Sequence, residues 1–269
     1  MSHLEQQLYF SLGERDQRIF TIHDVAALLH ISEYHARNLT SDMVTKQAIE
    51  RVKPGLYARV PESVILDKKL YTEDAILIAA KAAPTAFLSY YTALGLHGLA
   101  ERFSTRVYVT SPTHQRDITY HEVHITFIKV TQQRFFGITT LGYAYDTVHV
   151  SDRERTILDC IARPQYAGGW SECIHCLQNL EDLEWDRLLS YLKRFGNKVL
   201  ARRCGYLLSS LDNLKLPKTV KKAILGFSGT NVYYFIGLQK GTLDREWNLI
   251  IPSNITEALH NLAYEVKAR

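Results

Sequence analysis

Three features of the chain predict an α+β fold in two parts. Residues 20–60 hold two short helical patterns followed by a two-stranded ribbon. Residues 106–150 switch to strand-like runs, and residues 151–211 return to helix without the regular strand–helix alternation of a parallel sheet. Helix, turn, helix, ribbon is the order of a winged helix-turn-helix. The sequence therefore predicts an N-terminal winged helix-turn-helix over 1–65 and a larger α+β domain over 66–269.

Residues 1–19 read as a first helix, with Leu4, Leu8 and Leu12 four apart and Gly13 as a stop, packing behind the next two helices. Val25, Leu28 and Leu29 put an apolar stripe on one face of the second. Ser32 stands where an N-cap belongs, its oxygen free to accept a backbone N–H of the third helix. There Ala36, Leu39 and Met43 recur at the buried spacing, leaving Tyr34, His35, Arg37, Asn38 and Ser41 on the other sides. Strand-like runs at 49–53 and 56–60 flank Pro54-Gly55, a reverse-turn pair. Such a third helix enters a DNA major groove, where Arg37 can fork onto guanine and Asn38 can pair with adenine. Ser32, Tyr34 and His35 can reach phosphate or base edges, and Arg51 and Lys53 on the ribbon can follow the backbone. A helical domain that docks on protein is the alternative reading of the same pattern.

Residues 63–69 read as linker. A helix then begins near Thr72 with Glu73 and Asp74 in its first turn, where the helix dipole favours acids. SYYTALGLHGL at 89–99 is a further helix. Residues 106–110, 124–130 and 143–150 read as strands, being rich in β-branched and aromatic residues. SDRERTILDCIA at 151–162 is helical, with Ser151 as cap and Glu154 three residues on. RPQYAGG breaks it, and two or three helices follow to Leu211, the last anchored by Leu200, Leu207, Leu208 and Leu211. Strands at 231–238 and 246–251 and a terminal helix capped by Asn254 complete the chain.

With 269 residues, 46% apolar and 22% charged, the composition is that of an ordinary globular protein. No apolar run approaches the ~20 residues of a membrane helix. The start, MSHLEQQLYF, lacks the layout of a secretion signal, so a cytoplasmic protein is expected. Four cysteines imply no disulfide framework. The formal charge is +4, but its distribution is uneven: ten Lys or Arg between Arg187 and Lys222 face one acid, 10 − 1 = +9. An acidic cluster, Glu181, Asp182, Glu184 and Asp186, lies just before.

Four stretches are similar to the AbiEi family of transcriptional regulators, the antitoxin halves of AbiE-type toxin–antitoxin systems linked to phage (viral) defence. They are the ribbon ending PGLYARVP, the run from SYYTALGLHGL to RVYVTSP, VSDRERTILDCIARPQYAGGW, and ARRCGYLLSSL through GTLDREWNLIIP. The resemblance covers nearly the whole chain in the family's order. It implies a cytoplasmic repressor that binds double-stranded DNA at an inverted repeat in its own promoter, two copies pairing there. It also implies a second domain that counteracts a nucleotidyltransferase-like toxin. The basic block, with Arg194, Lys198, Arg202 and Arg203, is the expected surface for that partner, or for added nucleic-acid contacts. A solvated helix face is the plainer account.

Other motifs are weaker. Arg155 and Asp159 are four apart, as in a helix-face ion pair beside Arg153. Cys173-Ile174-His175-Cys176 lacks the second ligand pair of a structural zinc, and the four cysteines read as core thiols. His121 and His124, three apart on a strand, point to opposite faces and read as surface. Glu265-Val266-Lys267 mimics a nuclease motif without a partner carboxylate. No phosphate loop or nucleophile elbow is present, so no cofactor, metal site or enzymatic activity is expected. A ligand-sensing winged-helix regulator without a toxin partner is the main alternative, and an apolar pocket with convergent polar groups would favour it. A nuclease or nucleotidyltransferase would need clustered acids.

Overall fold

The structure, a computed structural model, describes residues 1–67, 72–101, 104–211 and 213–267, with 66–67 and 261–267 described by backbone alone. The fold is mixed α+β, as the sequence predicts, with twelve α-helices and three sheets among the described residues. The chain begins α1 (His3–Glu14), β1 (Ile19–Thr21), α2 (Ile22–Leu29), α3 (Glu33–Thr45), β2 (Ile49–Lys53), β3 (Leu56–Arg59), α4 (Glu62–Asp67) and α5 (Ala75–Ala82). Its middle holds β4 (Phe87–Leu88), α6 (Tyr90–Leu96), β5 (Arg106–Ser111), β6 (Ile118–Tyr120), β7 (Val123–Lys129), β8 (Ile138–Tyr143) and β9 (Asp146–Ser151). The last part comprises α7 (Arg153–Ala162), α8 (Gly169–Gln178), α9 (Trp185–Phe195), α10 (Lys198–Ser209), α11 (Lys218–Ser228), β10 (Tyr233–Tyr234), β11 (Thr242–Asp244), β12 (Leu249–Ile251) and α12 (Ser253–Lys267).

Two compact units result: residues 1–85 with 115–126, and residues 86–114 with 127–269. The first extends beyond the residue-65 boundary expected from sequence, because α5 and the β6–β7 hairpin belong to it. The hairpin is tied down by polar contacts. Tyr120 donates its hydroxyl to Glu50 of β2 at 2.7 Å and accepts the Glu73 N–H at 3.0 Å. His121, in the hairpin turn, lies 2.7 Å from the same Glu50. Of residues 63–69, read as linker, 63–67 belong to α4 instead and 68–69 lie outside the described residues.

In the first unit α1, α2 and α3 close on a core of Leu8, Leu12, Val25, Leu29, Ala36 and Met43. Each of the Leu, Val and Met side chains contributes roughly 1.5–3 kcal/mol when removed from water. Leu4, expected with them, stays 42% exposed. Thr21 and Asp24 form a capping box that starts α2, with the Thr21 N–H donated to the Asp24 carboxylate at 2.7 Å. His30 takes a left-handed conformation (φ +52°) to end it, and Ser32 caps α3 by accepting the His35 N–H at 3.3 Å, as predicted. The strands order β1-β3-β2, all antiparallel, and Gly55 (φ +85°) makes the turn between β2 and β3. β1 was hidden from the sequence because it has only three residues.

In the second unit the strands run β5-β4-β9-β8, β4 pairing antiparallel with β5 and parallel with β9. The run 143–150, expected to be one strand, holds the end of β8, a turn and most of β9: Ala144 (φ +50°) turns the chain between the two strands. Alternation continues through the corner, so periodicity alone cannot reveal it. Helices α7 to α11 build the main core, with Cys160, Cys173, Cys176 and Cys204 buried in it. Burial pushes the Cys176 and Cys204 thiols up to about 12, as inert core thiols should behave. In the small sheet β10-β12-β11, β10 and β12 are shorter than the strands read at 231–238 and 246–251, and β11 comes from the loop expected between them. Trp247, 1% exposed, lies against Gly205 of α10, where an added Cβ would fall 2.1 Å from the indole. Among the described residues no helix is long and apolar enough to cross a membrane.

Candidate functional site

One face of α3 is turned wholly outward. Ala36, Thr40 and Met43 point to the core, while Ser32, Tyr34, His35, Arg37, Asn38 and Ser41 are exposed, Tyr34 to 71%. Thr40 is the residue of the inner stripe that sequence reading missed. Its hydroxyl donates to the Ala36 carbonyl at 2.9 Å, which lets a polar side chain sit inside. Tyr34 and His35 lean together with ring centres 5.9 Å apart. Arg37 reaches back one turn to Glu33 at 3.2 Å, an exposed pair that a stronger anionic partner can displace at little cost.

The β2–β3 ribbon divides the two cations assigned to it. Arg51 is exposed, its guanidinium 5.8 Å from the centre of the Tyr57 ring. Lys53 does not project as expected: its ammonium is partly buried and donates to the Ala82 carbonyl at 2.8 Å. That carbonyl closes α5, whose C-terminal dipole favours a cation, and burial lowers the Lys53 pKa.

The basic block separates even further in space. Arg202, expected on a partner surface, is 2% exposed and donates to the Trp247 carbonyl at 2.8 Å and to that of Gly229. Arg203 is half-buried, lying over Trp170 and Phe235 with centroid distances of 5.6 and 5.8 Å. Arg194 is exposed but covers the Phe136 ring at 3.9 Å and donates to the Gln133 carbonyl at 3.2 Å. Arg187 pairs with Glu184 at 2.7 Å and Glu154 at 3.4 Å, so it meets the acidic cluster that sequence order set apart from it. Lys221 pairs with Glu246. Lys198 is exposed on the first turn of α10. The run is spread over three helices, and four of its ten cations, Arg187, Arg202, Arg203 and Lys221, turn inward or find an acid.

The reverse holds for α7, whose pair was expected on a helix face. Arg155 and Asp159 do pair, at 2.8 Å, but both are within the core, 1% and 3% exposed. Arg155 also donates to the carbonyls of Arg134 (2.9 Å) and Phe136 (3.2 Å) and lies 4.3 and 4.8 Å from the ring centres of Phe136 and Phe195. Burial pushes the Asp159 carboxyl up, and the Arg155 charge opposes it. Asp152, not Ser151, caps this helix, accepting the Arg155 N–H at 2.8 Å. Ser151 is instead buried at the end of β9, its hydroxyl 2.7 Å from that of Thr156. Glu154 turns inward to accept the Glu184 N–H at 2.8 Å, and Arg153 pairs with Asp182. The signal was present: Ile157, Leu158, Cys160 and Ile161 surround too much of the helix to leave a wet face.

Beside this pair opens a cleft of about 340 Å³ lined by Tyr90, Lys129, Thr131, Arg134, Arg163 and Phe195 among others. Sequence reading named none of these, since they come from four separate stretches. The histidines at 121 and 124 part company, one in the hairpin turn and the other beside Thr119 at 3.3 Å. No group of three or more His, Cys, Asp or Glu is placed to hold a metal among the described residues. The side chains of Glu265 and Lys267 lie outside those described.

No protein-family model matches the chain, and no curated protein matches it. Among solved structures, the crystal structure of the RV2827C protein from Mycobacterium tuberculosis is similar, with a TM-score of 0.67. The likeness spans 98% of this chain and 95% of that one at 16% identity, so it is a likeness of fold.

Proposed function

We propose that the chain is a DNA-binding transcriptional regulator of the AbiEi antitoxin type, its first unit a winged helix-turn-helix and its second the part that counteracts a nucleotidyltransferase-like toxin. The observation that carries the DNA half is the outward face of α3, which presents Tyr34, Arg37, Asn38 and Ser41 with no structural task inside the unit. A helix that needed those side chains for folding would bury some of them. The three-stranded sheet with its Gly55 turn supports the wing. Arg37 and Asn38 are the base readers, Ser32, Tyr34 and His35 the flanking contacts, and Arg51 the contact to the phosphate backbone. Lys53 drops out of that list.

The toxin half rests on the sequence resemblance, and its surface is narrower than the basic block suggested. Arg194 and Lys198 remain outward, whereas Arg202 belongs to the core. Two copies on an inverted repeat in the promoter of the same operon complete the reading. A mobility shift on the DNA upstream of the gene tests the first half. Arg37→Ala is expected to cost about 1–3 kcal/mol at one base pair and leave folding intact. No shift with any upstream fragment would sink it. Co-expression with the neighbouring gene, followed by pull-down and a growth assay, tests the second half. Protection lost in an Arg194→Glu, Lys198→Glu variant is the expected result.

A further inference from the structure

We propose that the cleft of the second unit beside α7 binds a small phosphate ester no larger than a mononucleotide. Its volume, about 340 Å³, falls within the range of small-ligand sites, ~300–1,000 Å³. Its lining is rich in donors. Lys129, Arg134 and Arg163 supply three positive charges, while Asp159 is neutralised at 2.8 Å by Arg155. Taken together the lining leaves three cations in excess. Arg134 is held in place, donating to the Phe195 carbonyl at 2.9 Å with its guanidinium 4.7 Å from that ring's centre. Lys129 and Arg163 are exposed, free to swing onto an entering anion.

Two further observations point into the cleft. Thr131 precedes a 3-10 turn (Gln132–Arg134), yet its hydroxyl makes no capping bond to it. Tyr90 is 2% exposed, lines the cleft, and is held in a left-handed backbone conformation (φ +52°) rarely taken by an aromatic residue. Observed strain of this kind is concentrated at sites that bind something. A cleft of about 340 Å³ leaves room behind a phosphate group, which is why an ester is favoured over the bare ion.

This proposal uses only the second unit, so it stands or falls apart from DNA binding. The test is isothermal titration of the full-length protein with AMP, ribose 5-phosphate, inorganic phosphate and adenosine. AMP or ribose 5-phosphate is expected to bind at least tenfold more tightly than inorganic phosphate, and adenosine to give no heat. Lys129→Gln with Arg163→Gln, both at exposed positions, should weaken the ester tenfold or more, and Tyr90→Phe severalfold. Failure of both esters to bind at millimolar concentration overturns the proposal. So does equal affinity in the Lys129→Gln, Arg163→Gln protein. Binding of inorganic phosphate alone would overturn the ester and leave an anion site only.

Discussion

The two compact units use charge in opposite ways. The first carries 11 Lys and Arg against 13 Asp and Glu, 11 − 13 = −2, and displays most of its polar side chains at the surface. The second, by difference from the whole chain, carries 21 against 15, 21 − 15 = +6, and places Glu154, Arg155, Asp159 and Arg202 in its interior. The acidic unit is thus the one proposed to meet DNA, through the local geometry of one helix face. The basic unit spends several of its cations on cohesion. Net charge is therefore a poor guide to where a polyanion docks here, and side-chain placement decides.

Variants can break that comparison, and the strongest strike the buried ions. Arg155→Met is expected to destabilise the second unit by about 3–5 kcal/mol, because it strands the Asp159 carboxylate inside. Trp170, Trp185 and Trp247 all lie in this unit, so urea unfolding followed by tryptophan emission reads it directly. Adding Asp159→Leu should recover much of the loss, and no recovery would mean the carboxylate was not the cause.

Gly205→Ala comes next, at about 1–3 kcal/mol from overpacking, since the new methyl group would collide with the Trp247 indole. A better helix former gains at most ~1 kcal/mol in return. The same emission assay detects it, and a stabilised variant would show that the indole can move aside.

In the first unit the largest buried charge is Glu5, paired with Lys46 at 2.7 Å. The Lys46 hydrogen bond holds its carboxyl below the ordinary 4.5. A folded-state value below the unfolded one gives stability that is present above pH 4.5 and lost as pH falls through the lower value. Thermal unfolding followed by circular dichroism at pH 5 and pH 3 should show this loss in the native protein and a smaller one in Glu5→Gln. An identical acid loss in the variant would assign it elsewhere.

The smallest effect separates the two ribbon cations. Arg51→Ala should weaken binding to all DNA sequences alike and lower the salt slope by about one. Lys53→Ala should leave that slope unchanged, because its ammonium serves the Ala82 carbonyl. Equal slopes for both variants would return Lys53 to the interface.

The first unit was legible where local rules operate. Ser32 as cap, Ala36 and Met43 as inner positions, and Pro54-Gly55 as a turn each depend on neighbours a few residues away. Elements that depend on distant partners were not. β1 and β4, only three and two residues long, become strands by pairing with β3 and with β5 and β9. The cleft draws Tyr90, Lys129 with Arg134, Arg163 and Phe195 from four stretches, and no spacing links them.

By itself, then, the amino-acid order determined most of the helical segments (α4 and α11 excepted), the cap of α3, and which side of α3 stays polar, because those outcomes follow from backbone periodicity and nearest neighbours. Only the tertiary structure decided the fate of the charges: Arg202 and Arg155 became interior struts and Lys53 a helix-end contact, while Arg51 stayed at the surface. The physical reason is that whether a cation meets water or a carbonyl is set by what packs against its helix or strand, and that partner lies tens of residues away.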